Sequence, residues 1–447
     1  MAGWRRCRWQ IIATLEMGLL MLSHGIILGW FSLMYVFLAS DDTPLDEKLT
    51  VQHGSWIGSI LGMGGLTTNL IMGYPLDYFG RKPVMYFLVI PHATHWILIY
   101  FGTNVIYLYV ARFLAGVAAG GGVVVFPIFV AEIADTNIRG SLGSAIFLAI
   151  SAGLLVGYIC ASFIAYKVLP CVALVLPTIY IISIIFLPET PIFLLRAGKT
   201  EKAEKSYYFY KGLSAEDPES KKEFKEFLDE LLADSAVEKI TTKDFCNREA
   251  WKAFGLVIVL LFTHQMSGNF AILTYATTIF EHLNSKLDLH LCTIILGVAQ
   301  LLGMIIALFL VDRMGRRILM LSSLAGMVLG ELIIAGLKYF ASSEFLKEQG
   351  WFGLATMCFT SFFSSIGVAS VTVVIIVEIL PIKLISVCTS ISIAILNIFI
   401  FITLKIYPEM IAEYGLGPTM IMTAVSCIFS AIILGLFLPE TKNKHLA

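Results

Sequence analysis

Six polar side chains stand inside otherwise apolar runs: His264, Gln265, Asn269 and Tyr275 close together, then Gln300 and Asn397. Carboxamides both donate and accept hydrogen bonds, and an aromatic face covers C–H surface, so the set suits an uncharged, hydroxyl-rich solute. It does not suit covalent chemistry. No nucleophile, base and oxyanion-stabilising group can be assembled from the apolar segments, so an enzyme is not expected, and no ligand spacing calls for a metal or other cofactor. Amides within lipid also bond between helices. Gln265 and Gln300 read as solute contacts, whereas for Asn269 and Asn397 both uses stand. His24 and His264 read as neutral histidines hydrogen-bonded within a bundle rather than as proton carriers.

A membrane must position these residues. Of 447 residues, 58% are hydrophobic and 14% charged, with a mean hydropathy of +0.84. A bilayer core of about 30 Å takes ~20 apolar residues per helix. Such runs recur at 11–37, 54–74, 84–102, 105–130, 141–166 and 171–187, then at 252–278, 290–311, 318–337, 351–377, 386–407 and 417–438. The chain is therefore expected to be an all-α membrane protein of twelve transmembrane helices, with bundles at 1–188 and 251–447 joined by a linker at 189–250. The linker is rich in Lys and Glu. Its Phe224, Phe227, Leu228 and Leu231 repeat at helical spacing and predict short amphipathic helices at the membrane surface, within a solvated connector. A net charge of -1 without a basic stripe sets nucleic acid aside. The eight cysteines are scattered, and Cys160, Cys292, Cys358 and Cys427 lie in apolar runs as small hydrophobes, not as a disulfide framework. Arg5, Arg6 and Arg8 precede a run too long for a signal peptide, so it reads as a retained first helix.

Orientation follows from charge. Arg81, Lys82, Arg139, the linker, Arg313, Arg316, Arg317, Lys442 and Lys444 fall on one side, which the positive-inside tendency makes cytoplasmic together with both termini. The plasma membrane is the expected residence. The two halves also repeat. DYFGRK at Asp77 to Lys82 returns as DRMGRR at Asp312 to Arg317, Glu132 returns as Glu378, and LPET at Leu187 to Thr190 returns at Leu438 to Thr441. Three signals in one order mean duplication. Asp77, Arg81, Arg112, Glu132, Arg139 and Glu189, with Asp312, Arg316, Arg317, Glu378 and Glu440, then read as gating charges that pair at helix ends and must also release. Parallel six-helix repeats are the plan of carriers that rock around a central site, which puts the solute between the halves.

These motifs resemble the sugar porter family of the major facilitator superfamily. The resemblance rests on GYPLDYFGRK (Gly73 to Lys82), ARFLAG (Ala111 to Gly116) with Pro127, Glu132, Arg139 and Gly140, and LPETP (Leu187 to Pro191). It continues through HQMSGNF (His264 to Phe270), DRMGRR, VEILP (Val377 to Pro381) and LPETK (Leu438 to Lys442). LGW at Leu28 to Trp30 and GNF at Gly268 to Phe270 look like the insect trehalose-transporter-like branch. The resemblance implies a major facilitator fold, a sugar or polyol as solute, contacts from Gln265, Gln300, Asn269 and Asn397, and an Arg139 to Glu189 pair. It implies no cofactor, and the expected partners are the solute and the lipid bilayer around a monomer.

The chain departs from the family pattern at His264, Phe270, Phe147 and Asn397. On helix 10 the usual glycine-proline hinge reads GVAS (Gly367 to Ser370), so the simplest cause of a bend is gone. Ile385 stands where arginine is usual, with Lys383 nearby, which leaves the partner of Glu440 open. Proton-driven relatives carry an aspartate where this chain has Ile27, and Glu16 lies roughly 16 Å deeper at helical rise. Facilitated diffusion is therefore expected. Glu331, inside span 9, is expected to reach the outer interface near Lys338. The alternatives are a carrier of another small neutral metabolite and a non-transporting sensor on the same fold.

Overall fold

The computed structural model describes residues 2–235, 248–283, 286–380 and 385–441, and among them the secondary structure is helical, with no strand. Helices α1 (Ala2–Ala39), α2 (Val51–Ile71) with its continuation α3 (Gly73–Phe79), α4 (Arg81–Phe101), α5 (Val105–Ile133) and α6 (Thr136–Phe163) fill the first five expected spans, and α7 (Leu169–Ala173) with α8 (Val175–Ile184) fills the sixth. The linker holds α9 (Pro191–Arg196), α10 (Thr200–Lys211) and α11 (Pro218–Ser235). In the second half, α12 (Arg248–Met266), α13 (Asn269–Thr274) and α14 (Ala276–His282) are one interrupted span. They are followed by α15 (Leu289–Met314), α16 (Arg316–Phe340), the short α17 (Ser343–Glu348), the pair α18 (Gly350–Ile366) and α19 (Val368–Ile379), α20 (Ile385–Tyr414) and α21 (Leu416–Phe437).

Among the described residues, ten helical stretches are long and apolar enough to cross a membrane. Helix α2 falls outside that set because Gly54, Gly58, Gly62, Gly64, Gly65 and two serines dilute its hydropathy. Those residues are what its packing needs. A Cβ on Gly116 of α5 would stand 2.0 Å from the Leu61 carbonyl of α2, and one on Gly62 would stand 2.8 Å from the Asn397 carbonyl of α20. Helices α1 and α6 meet in the same way, with Gly153 against the Leu22 carbonyl at 2.0 Å. Lipid is as apolar as leucine, so close backbone approach, rather than hydrophobic exclusion, gives these helices their affinity.

Two faces can be told apart: the linker face, carrying α9 to α11, and the opposite face, carrying the loop at 40–50. Contacts across the seam between the halves gather from mid-depth toward the opposite face. Ser32 lies 3.1 Å from the Thr277 hydroxyl, Tyr158 donates to the Leu273 carbonyl at 2.6 Å, and Trp56 meets Phe401 with ring centroids 6.0 Å apart. Toward the linker face α6 is less closely covered, since a Cβ on Gly140 or Gly143 would meet nothing within 4 Å. The linker itself is docked. Lys211 pairs with Asp135, which also accepts from Gln10 at 3.2 Å. Burial works against the Asp135 carboxylate, but Lys211 and the hydrogen bonds from Gln10 and Cys7 together outweigh it and hold the group below its ordinary value. Phe224 and Phe227, expected on lipid, instead pack on Tyr207, with centroids 5.5 and 4.8 Å away.

Two further expectations change. Glu331 does not reach an interface: it is fully buried beside Thr423 and Cys427 of α21, while Lys338 donates to the His282 carbonyl at 2.7 Å. Span 10 does break without a proline. Ser323 of α16 donates to the Phe363 carbonyl at 2.6 Å and accepts from the Val368 amide at 3.1 Å, so a neighbouring hydroxyl replaces one rung of the helix ladder. Gly367 lies at that point against the Leu319 carbonyl, where a Cβ would stand only 2.4 Å away. Ser323→Ala leaves both backbone groups unpaired inside the packed bundle and is expected to cost about 2 kcal/mol. Thermal unfolding in detergent checks this, and an unchanged Tm would show that the break does not depend on the hydroxyl.

Candidate functional site

The doubled motifs build one charge cluster in each half. Gly80, at φ 97°, turns the chain so that Arg81 opens α4 and reaches Glu132 at 2.5 Å and the Leu76 carbonyl at 3.1 Å. Thr190 donates to the other Glu132 oxygen. Glu189 accepts from the Lys82 amide at 3.0 Å and from the Thr190 amide at 2.8 Å. It thereby caps the α4 N-terminus, where free N–H groups and the helix dipole favour an anion. Burial pushes the Glu189 carboxyl above its ordinary value, and the amides of Thr190, Lys82 and Arg81 oppose that push. The second half repeats most of these contacts. Gly315 has φ 91°, Arg316 meets Glu378 at 3.0 Å and the Val311 carbonyl at 3.1 Å, and Thr441 donates to Glu378. Glu440 accepts from the Arg316 and Arg317 amides at 3.0 and 3.2 Å, which answers the question of its partner.

Two charge expectations are corrected. Arg139 does not meet Glu189; it is exposed and donates to the Ala134 carbonyl at 3.3 Å, because Glu189 is committed to the α4 amides. Arg112 belongs to neither cluster. It is fully buried, donates to the carbonyls of Ile57 and Ile27 at 3.3 Å each, and lies 4.1 Å over the Phe31 ring. Asp77 lines a cavity of about 280 Å³ at the linker face with Tyr78, Arg81, Phe193 and Arg196. The side chains of Asp312 and Ile385, and residues Lys383, Lys442 and Lys444, lie outside the described set.

The amides divide by use. Gln265 is 1% exposed and Gln300 6% exposed. The Gln300 amide donates to Ser151 of α6 at 3.2 Å, across the seam, and the Gln265 nitrogen lies 3.0 Å from His264 Nδ1. Both carbonyl oxygens, Gln265 Oε1 and Gln300 Oε1, are buried without a hydrogen-bond partner among the described residues. Such acceptors are costly inside apolar helices unless a hydroxyl-bearing molecule supplies the donor. Asn269 opens α13 directly after Gly268, whose φ of 76° marks the break in span 7, and is 8% exposed. Asn397 is spent on packing. Its amide donates to the Ile393 carbonyl at 2.9 Å, and its Oδ1 would stand 2.2 Å from a Cβ on Gly65.

Tyr275, expected to touch solute, is fully buried between α2 and α20 in the closed opposite face. Its hydroxyl donates to the Leu404 carbonyl at 2.8 Å. Pro408 explains why that acceptor is free, since proline has no N–H to bond the carbonyl four residues earlier. Gly58 makes room for the tyrosine: a Cβ there would lie 2.0 Å from the hydroxyl. Ser151 and the threonines at 190 and 441 were not singled out as functional in the sequence. The threonines carried a signal, because both copies of LPET place one directly after the capping glutamate.

Residues 10–447 match a family model described as Sugar (and other) transporter. The Facilitated trehalose transporter Tret1-2 homolog of Drosophila sechellia is 28% identical over 439 residues, which is 98% of this chain and 89% of that one. The Facilitated trehalose transporter Tret1 of Drosophila yakuba is 28% identical over 441 residues, and this chain spans about half of it, 51%. The xylose transporter XylE from E. coli, in its inward open conformation, has a TM-score of 0.80 at 19% identity, covering 97% of this chain and 98% of that one, so the two share a fold.

Burial separates the two charge clusters in energy. Arg81→Met strands a Glu132 whose side chain is only 9% exposed, and should cost about 3–5 kcal/mol. Arg316→Met should cost less, because Glu378 is 25% exposed; equal losses of monodisperse protein on size exclusion would contradict the burial argument. Tyr275→Phe should cost about 1–3 kcal/mol through the bare Leu404 carbonyl. Adding Pro408→Ala, which supplies a backbone donor, should recover part of the lost Tm.

Proposed function

The chain belongs to the Sugar (and other) transporter family and has the major facilitator fold, and from that premise we propose that it carries a neutral sugar between two faces of a membrane by alternating access. It is an integral multi-pass transporter, not an enzyme. The observation that carries the choice of solute is the pair of bare acceptors on Gln265 and Gln300. Acceptors without partners select molecules rich in hydroxyl donors and give no advantage to anions. The similarity to trehalose transporters favours a disaccharide among the candidates. Asn269 is the further amide assigned to the solute, with His264 holding the Gln265 nitrogen in place.

The positive charges on the linker face make that face cytoplasmic in this reading, with the carrier a monomer in the plasma membrane and both termini inside. The state observed is then closed outside and open inside. Transport without ion coupling is supported at Ile27. There Arg112 takes two backbone carbonyls and the Phe31 ring, and among the described residues no carboxylate pairs with it. The charge clusters each tie elements of one half together and so keep the halves rigid while the seam opens and closes.

Counterflow into liposomes with sugars, disaccharides and polyols tests the proposal. Gln265→Ala and Gln300→Ala should each lower sugar flux at least about tenfold, the effect of one hydrogen bond of roughly 1.4 kcal/mol. Wild-type protein that moves an organic ion but none of these compounds would sink the sugar assignment. Solute-dependent acidification of the lumen would overturn facilitated diffusion.

A further inference from the structure

At the opposite face a lysine sits in a span where lipid would be a poor host. Lys405 of α20 pairs with Glu409 one turn later, and its side chain is 18% exposed. Such a pair within one helix contributes little alone. Here two groups from the other half complete it. The Lys405 ammonium donates to the Ser55 hydroxyl of α2 at 2.8 Å and lies 4.9 Å from the centre of the Trp56 ring, and Ser55 is 2.9 Å from Glu409 Oε1. Ser55 is fully buried. The cation therefore has one partner on its own half and two on the other.

We propose that Lys405 and Glu409 are gate-positioning residues: they clamp Ser55 and Trp56, hold the opposite face shut, and must release them before solute can enter from that side. The clamp rests on the alternating-access reading. When α2 parts from α20, Lys405 keeps Glu409 but loses the hydroxyl and the indole face, so the interaction stabilises one gate state and not the other. Only such a differential interaction shifts a conformational equilibrium. Tyr275 contributes in a different way. Its short 2.8 Å hydrogen bond runs to Leu404 within its own half, and only a long one of 3.5 Å reaches the Gly54 carbonyl of α2, so it binds the halves weakly and through a neutral group. Ser32 with Thr277 and Tyr158 with Leu273 also cross the seam, through neutral groups. Among the crossing contacts described at this face, the clamp carries the formal charge, and a charged partner makes the stronger hydrogen bond.

Accessibility from the opposite face reads the clamp directly. A Ser32→Cys reporter, placed in a Cys171→Ser background, is reacted with an impermeant maleimide in reconstituted vesicles, with the parent lacking the added thiol as control. Lys405→Met and Ser55→Ala should each raise the labelling rate about fivefold, and the double variant should add little to either. Lys405→Arg, which keeps the cation, should label close to the parent rate. Parent-like labelling in both Lys405→Met and Ser55→Ala would overturn the clamp, as would Lys405→Arg behaving like Lys405→Met. If Lys405→Met does not fold, the single-atom change at Ser55 still decides the matter. The labelling needs no solute, so a carrier of some other molecule would pass this test while failing the sugar screen.

Discussion

Lipid offers no hydrogen bonds, so every polar group in a span must find its partner within the protein. Much of this molecule answers that constraint. Pro408 frees the Leu404 carbonyl and Tyr275 fills it; span 10 opens at Gly367 and Ser323 bridges the gap; Arg112 takes two carbonyls and an aromatic face. Other buried polar atoms, such as those of Asn69 and Ser364, also lack a partner among the described residues; the oxygens of Gln265 and Gln300 are the ones that the proposed solute would complete.

The same constraint explains the split between rigid halves and a movable seam. Within each half, helices meet backbone to backbone at glycines and are pinned at the linker face by an arginine, two glutamates and a threonine. Those clusters neutralise charge locally and do not reach across. Across the seam close packing at the α2 glycines is joined by single hydroxyls, aromatic edges and one ion pair at the opposite face. An interface that must open and reclose is better built from modest interactions, because the two states then differ little in free energy.

Much was legible before any coordinates. Twelve apolar runs of bilayer length fall where helices form, and the paired motifs fall where the paired clusters form. Helix α2 shows the limit of hydropathy, since the glycines that lower its score are the reason it lies at the seam. Sequence is least informative where a partner is a backbone group. In this state Glu189 caps α4 rather than meeting Arg139, Tyr275 serves a proline-freed carbonyl, and Asn397 fills the gap opposite Gly65.

By itself the sequence determined what is local or repeated: span lengths, the duplication, the surplus of positive charge at one face, and which polar residues enter the membrane. Tertiary structure alone decided which of those polar groups are already satisfied. The reason is geometric. Hydrophobic length and motif order are properties of one helix at a time, whereas the supply of free donors and acceptors depends on which carbonyls, amides and hydroxyls meet when two helices approach at a given register.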